Sequence, residues 1–206
     1  MTEPRRLGVL ISGRGSNLQS ILDAVADGRL AASVAVVISN RAGAAGLERA
    51  GRAGVETLVL DHRAHASREA YDAELVEALR ARRVDLVCLA GFMRILSPAF
   101  IAAFQGRILN IHPSLLPAFA GVNPPYQAWE HGVTVSGATV HFVDESLDGG
   151  PIVRQEAVPV HPGDTPESLA ARILAVEHRI YPEAIEAVLR GGWRLDGRRF
   201  IPAGGG

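Results

Sequence analysis

Lysine is absent from this sequence, and all 21 cationic side chains are arginine. That excludes a Schiff-base or pyridoxal-phosphate lysine and a phosphate-loop lysine. Cysteine is nearly absent. The single Cys88 has no internal disulfide partner, and it stands in the apolar run Val84-Asp85-Leu86-Val87-Cys88-Leu89-Ala90. A core thiol is expected there, because reactive cysteines need electropositive, partly exposed surroundings. Cytoplasm is the expected compartment. With no cysteine pair and no two histidines at i, i+4 on a helix, no metal site is expected. No apolar run approaches the roughly 18–20 residues of a membrane span, and Met1–Arg6 is too short and polar for a secretory signal. A basic excess is missing too. The net charge of −1 argues against a dedicated nucleic-acid binder, whose affinity rests on neutralising phosphates.

What is present suits one domain with a sizeable core: 206 residues, 48% of them hydrophobic. Leu7–Ile11, Val34–Ile38, Val55–Leu60 and Val84–Ala90 read as buried strands. Between them, helices are expected from Leu18, over Ala44–Arg52, and over Arg68–Arg82 with Ser67 as N-cap and Ala70, Leu75, Val76 and Leu79 on its apolar face. This alternation predicts a doubly wound, mainly parallel sheet with helices on both faces. Ser97 and Pro98 start a short helix to Phe104. Further on come a short helix around Gln127–His131 and a strand from Val133 to Asp144, interrupted at Gly137. Ile152–Val160 completes a hairpin with that strand. Thr165-Pro166 opens a long helix that Pro182 should kink, and Trp193–Ile201 forms a terminal hairpin turning at Asp196-Gly197. Ala203–Gly206 reads as a flexible tail. Within the single domain, a nucleotide-binding half is expected over about residues 7–105 and a catalytic half over about 106–200.

Three segments fall at the carboxyl ends of strands, where open α/β sheets bind ligands. Ser12-Gly13-Arg14-Gly15-Ser16-Asn17 joins strand to helix. Its glycines let backbone N–H groups approach an anion at the helix N-terminus. It lacks the third glycine of a dinucleotide loop, so a phosphomonoester is favoured over a tight turn without ligand. Gly91–Leu96 either lines a slot for a flat ligand or packs, and by residue type packing is expected. Asn110-Ile111-His112-Pro113 places an amide and an imidazole on one face of a strand end, because residues i and i+2 project together. Such a pair suits a tetrahedral oxyanion, or the histidine merely caps the strand. Asp148, before Gly149-Gly150, can orient an imidazole and favour its charged form, although Asp-Gly-Gly is also common turn chemistry. His141 reads as a structural or surface histidine.

Five stretches together resemble phosphoribosylglycinamide formyltransferases: Ile11–Gln19, Leu89–Pro98, Asn110–Pro117, Leu147–Pro151 and Glu177–Pro182. The resemblance covers about Leu7 to Arg199. It implies the formyltransferase fold and formyl transfer from 10-formyltetrahydrofolate, as cosubstrate, to the amine of glycinamide ribonucleotide in purine biosynthesis. It further implies Asn110, His112 and Asp148 as catalytic residues, and Gly15, Ser16, Asn17 and Glu177 as ribonucleotide-binding residues. Folate falls to Arg68, Met93, Arg94, Ile95 and Leu96, with Asn110 and the loop Asp144, Glu145, Ser146, Leu147 and Asp148. Small-molecule partners, no metal, and a monomer or homodimer are expected. Gly121–Gln127 departs from the histidine-rich loop of many relatives and is similar to that of 10-formyltetrahydrofolate hydrolases, the alternative enzyme reading. Those carry an extra N-terminal domain, which is not expected here. A methionyl-tRNA formyltransferase, with its further C-terminal domain, is disfavoured. A non-catalytic nucleotide-binding module is the alternative of another class.

Overall fold

A computed structural model of the chain describes residues 3–204. Met1, Thr2, Gly205 and Gly206 lie outside them, and with them part of the expected tail. The chain divides into two units, Met1–Leu109 and Asn110–Gly206.

The first unit alternates strand and helix: β1 (Arg5–Ile11), α1 (Ser16–Ala26), β2 (Ala32–Ser39), α2 (Ala45–Arg52), β3 (Thr57–Val59), α3 (Arg68–Ala81), β4 (Leu86–Leu89) and α4 (Pro98–Ala103). β1 pairs in parallel with β2 on one side and β4 on the other, and β2 pairs in parallel with β3. The chain therefore reverses its direction of travel at β1/β4, which makes the ends of those two strands a switch point. Side chains on both faces of β1 and β4 are buried, as continuous apolar runs require. β3 is shorter than Val55–Leu60 because β2 ends at Ser39, which pairs with Val59.

The expected caps form. Ser67 Oγ accepts from Ala70 N at 3.1 Å, and Ser97 Oγ from Phe100 N at 3.3 Å with Pro98 opening α4. One helix face differs from expectation. Ala70 is exposed, and Tyr71 and Asp72 are buried beside Leu75, Val76 and Leu79. Asp72 is accommodated because its Oδ2 accepts the Ser97 N–H at 2.5 Å, so its burial is partnered.

β5 (Ile108–His112) carries the chain across the boundary. The second unit then holds α5 (Pro124–Glu130), β6 (Val135–Phe142), β7 (Ile152–Pro159), α6 (Pro166–Leu189), β8 (Arg194–Asp196) and β9 (Arg199–Ile201). β6 and β7 pair antiparallel, as do β8 and β9, while β7 and β9 touch in parallel. α6 packs on β6, β7 and α5. Thr165 and Ser168 close its N-terminus with a reciprocal capping box, and the helix continues through Pro182. Among the described residues no helix is long and apolar enough to cross a membrane.

Two details correct the sequence reading. α5 begins at Pro124 rather than Gln127, since prolines fit the first turn, where N–H groups lack helical partners anyway. β6 runs unbroken through Gly137. A Cβ there would collide with the Glu156 carbonyl of β7 and stand 2.7 Å from Leu115 Cδ2. The glycine permits a close approach and does not break the strand. The alternation in β6 is likewise not core against solvent: Ser136, Thr139 and His141 are buried, while Val135 is exposed. The expected α/β class is borne out, with parallel strands and helices first and antiparallel strands with one long helix afterwards.

Candidate active site

β5 delivers Asn110 and His112 from one strand face, and both find partners within the second unit. His112 is buried. Its Nε2 lies 2.9 Å from the Phe119 carbonyl. A carbonyl only accepts, so Nε2 carries a proton. The opposite ring nitrogen, Nδ1, stands 3.6 Å from Asp148 Oδ2. The backbone thus fixes the tautomer, and any second proton on the ring sits on Nδ1, facing a carboxylate.

Asn110 is held by a residue read from sequence as structural or at the surface. Its Nδ2 lies 3.2 Å from His141 Nε2. His141 Nδ1 lies 2.8 Å from the Phe142 carbonyl and must donate to it. Its Nε2 is therefore the acceptor in the neutral ring, and it takes one N–H of the Asn110 amide. The second N–H of that amide remains for another acceptor. Burial is the main cause that lowers the His141 pKa, outweighing the Phe142 carbonyl and the Asp148 carboxylate, 3.8 Å away, both of which raise it.

The folded state holds His141 below its unfolded value of about 6.5, so it binds fewer protons than the unfolded chain as pH falls. The resulting stability is present at neutral pH and lost as pH drops below the unfolded value. His65, which a hydrogen bond to Glu74 raises, acts in the opposite sense. Comparison with His141→Gln cancels it. Between about pH 7.5 and about pH 5.5, the urea midpoint of the parent should fall further than that of the variant. Equal falls would remove His141 from the account.

Asp148 comes from the loop between β6 and β7. Its backbone is left-handed, φ 48°, a conformation that aspartate tolerates better than most residues. Its Oδ2 accepts the Gly121 N–H at 2.9 Å, which ties the loop to the segment after β5. That segment is strained as well: Phe119 and Asn123 both have φ 54°. The Phe119 carbonyl meets His112 through this turn. Thr139 and Gln155 brace it from beneath, with Thr139 Oγ1 donating to the Ser114 carbonyl at 2.7 Å and Gln155 Nε2 to the Leu116 carbonyl at 2.8 Å.

The rest of the Asp144–Asp148 loop is more open. Asp144 Oδ1 accepts the Ser146 N–H at 2.9 Å, while Glu145, Ser146 and Leu147 are exposed. Glu177 is buried on α6. Asn110, His112 and Asp148 are brought together as the sequence suggested, whereas His141 and the Phe119 carbonyl were missed. No local signal marks a carbonyl, and His141 stands out only once β6 is known to be buried on both faces.

In the first unit, the glycine loop and the Gly91–Leu96 segment meet at the switch point. Ser12 N donates to the Gly91 carbonyl at 3.2 Å, and Met93 N donates to Ser12 Oγ at 2.8 Å. Ser12 Oγ in turn donates to Asn40 Oδ1 at 2.7 Å. Gly15 is left-handed, φ 70°, and Ser16 and Asn17 open α1 with no side-chain cap hydrogen bond at its N-cap. Met93 and Ile95 are exposed, against the expectation from residue type that they pack; Leu96 is buried. Arg94 lies over the Tyr71 ring, 5.5 Å from its centroid. Arg68 is exposed beside Glu69.

The chain is similar to known proteins in sequence and in fold. Residues 5–185 match the family model described as formyl transferase. The chain is 48% identical to the Escherichia coli phosphoribosylglycinamide formyltransferase over 95% of this chain and 96% of that one. It is 50% identical to the trifunctional purine biosynthetic protein adenosine-3 of Drosophila pseudoobscura pseudoobscura over 94% of this chain, but spans only 14% of that much longer protein. The crystal structure of glycinamide ribonucleotide transformylase 1 from Symbiobacterium toebii superposes with a TM-score of 0.96 at 57% identity, covering 98% of this chain and 96% of that one. The chain belongs to the formyl transferase family.

Proposed function

We propose that this chain is a phosphoribosylglycinamide formyltransferase. It moves the formyl group of 10-formyltetrahydrofolate to the amine of glycinamide ribonucleotide, releasing tetrahydrofolate. The observation that carries the reading is the cluster of Asn110, Asp148 and the buried His112 and His141, whose hydrogen bonds leave one amide N–H and one imidazole nitrogen uncommitted to the backbone.

An aliphatic α-amino group has a pKa of roughly 8, so a useful fraction is neutral near pH 7 and needs little activation. The harder demand is the charge that develops on the formyl oxygen. The amine attacks the formyl carbon, and that oxygen becomes an oxyanion. The free Asn110 N–H and a proton on His112 Nδ1 donate to it, and the Asp148 carboxylate stabilises the charged ring. The amine nitrogen then loses its proton, the bond from carbon to the folate N10 breaks, and N10 takes up a proton as it leaves. No covalent enzyme intermediate is needed, and Cys88 is buried.

The ribonucleotide phosphate binds the N–H groups around Gly15, Ser16 and Asn17, and Glu177 holds the glycinamide end. Folate takes the exposed Met93 and Ile95, the backbone of Arg94 and Leu96, and the Asp144–Asp148 loop, with Arg68 facing its acidic tail. The test is folate release from 10-formyltetrahydrofolate with and without glycinamide ribonucleotide. Release that requires the ribonucleotide is expected. Equal release in its absence would make the chain a hydrolase, and none in either case a binding module.

A further inference from the structure

We propose that Arg49 is the positioning residue of the phosphate loop, holding its backbone so that consecutive N–H groups face the ligand. The inference rests on the reading of Gly15–Asn17 as the ribonucleotide phosphate site and extends it to a helix that touches no substrate in that reading.

α2 supports the loop from behind at two successive carbonyls. Gly46 N donates to the Gly13 carbonyl at 3.0 Å. Arg49 Nε donates to the Arg14 carbonyl at 2.9 Å. In a trans peptide the C=O and the following N–H point in opposite directions. Tethering the Gly13 carbonyl toward α2 therefore turns the Arg14 N–H away from it, and tethering the Arg14 carbonyl does the same for Gly15. The Gly15 carbonyl is taken by Gln19 N at 2.9 Å within α1, which leaves the Ser16 N–H projecting from the helix start. Three neighbouring donors are thus set before any ligand arrives, and the arrangement forms an anion nest.

The fit between the two segments is tight. A Cβ on Gly46 would stand 2.5 Å from Ile11 Cδ1 and 3.2 Å from the Gly15 Cα, and one on Gly15 would stand 2.6 Å from the Gly46 Cα. Only a pair of glycines lets α2 come close enough for Arg49 to reach the loop carbonyl.

Arg49 is also suited to the task by its charge. Its guanidinium is part-buried, and its other partner is the neutral Gln19 Oε1 at 3.3 Å. Among the described residues no carboxylate forms an ion pair with it, whereas ten other arginines are each paired with one. The charge polarises the Arg14 carbonyl and raises the local potential without spending itself on a neighbour.

Steady-state kinetics of Arg49→Gln and Arg49→Lys test this, with inorganic phosphate as a competitive probe against glycinamide ribonucleotide. Arg49→Gln should raise both the ribonucleotide KM and the phosphate inhibition constant about tenfold. Its kcat and folate KM should stay within about twofold of the parent, as expected when ground-state binding alone is lost. Arg49→Lys should recover most of the affinity, because an ammonium keeps the charge and can still donate to the Arg14 carbonyl. An unchanged ribonucleotide KM in Arg49→Gln overturns the proposal. So does a parallel loss of kcat and both affinities, which would mark a general loosening of the first unit. If inorganic phosphate fails to compete on the parent enzyme, the phosphate-loop reading itself fails, and that result is visible before any variant is made.

Discussion

Replacing His112 with alanine is expected to lower turnover about a thousandfold, ~4 kcal/mol of lost transition-state stabilisation. The residue supplies a proton donor on Nδ1 whose position is set by two features at once. The Phe119 carbonyl, 2.9 Å from Nε2, occupies the other ring nitrogen, and the Asp148 carboxylate lies 3.6 Å from Nδ1. Neither the Asn110 amide nor the backbone of β5 can replace that charge. The substitution leaves the Phe119 carbonyl with only the longer bond from Ser114 Oγ at 3.4 Å, at a cost of up to about 1–3 kcal/mol, which a folded domain of this size tolerates. Near-ultraviolet circular dichroism and thermal unfolding of the variant check that the loss is chemical. Loss of the near-ultraviolet signal would assign the defect to folding instead.

Asp148→Asn is expected to cost about a hundredfold in turnover, with substrate KM values little changed. Asparagine suits the left-handed backbone of this position, φ 48°, as well as aspartate does. Its side-chain oxygen can still accept the Gly121 N–H, as Asp148 Oδ2 does at 2.9 Å. Only the negative charge is lost, the one that faces His112 Nδ1 from 3.6 Å. The effect should exceed that of removing an exposed carboxylate of the same loop, Glu145. An Asp148→Asn enzyme as fast as the parent would show that the carboxylate is turn chemistry and nothing more.

What the sequence disclosed tracks the range of the interactions involved. Ser67, Ser97 and Thr165 were legible as caps because each bonds a backbone N–H three residues away. Asn110 and His112 were legible as a pair because strand geometry puts i and i+2 on one face. The Asp148 side chain was ambiguous because Asp-Gly-Gly serves a turn and a charged site equally well. What stayed hidden depends on distant chain. His141 becomes the acceptor for Asn110 only through a contact 31 residues apart. Gly137 looks like an interruption in sequence alone, yet its lack of a Cβ serves the approach of β7. Arg49 lies 35 residues from the carbonyl it holds, and nothing in its helix distinguishes it from Arg52. Tyr71 replaced Ala70 in the core because a helical face defined by four apolar positions leaves its angular limits loose.

In this division of the work Asp148 acts through His112, and the two serve the same oxygen. A double-mutant cycle on turnover is the most direct test of that division, since groups that act as a unit are not additive. In the His112→Ala background, adding Asp148→Asn should cost no more than about twofold, because the charge it removes has no ring left to act on. A further loss of about a hundredfold, equal to that of Asp148→Asn alone, would contradict the account and give the carboxylate an independent part in the chemistry.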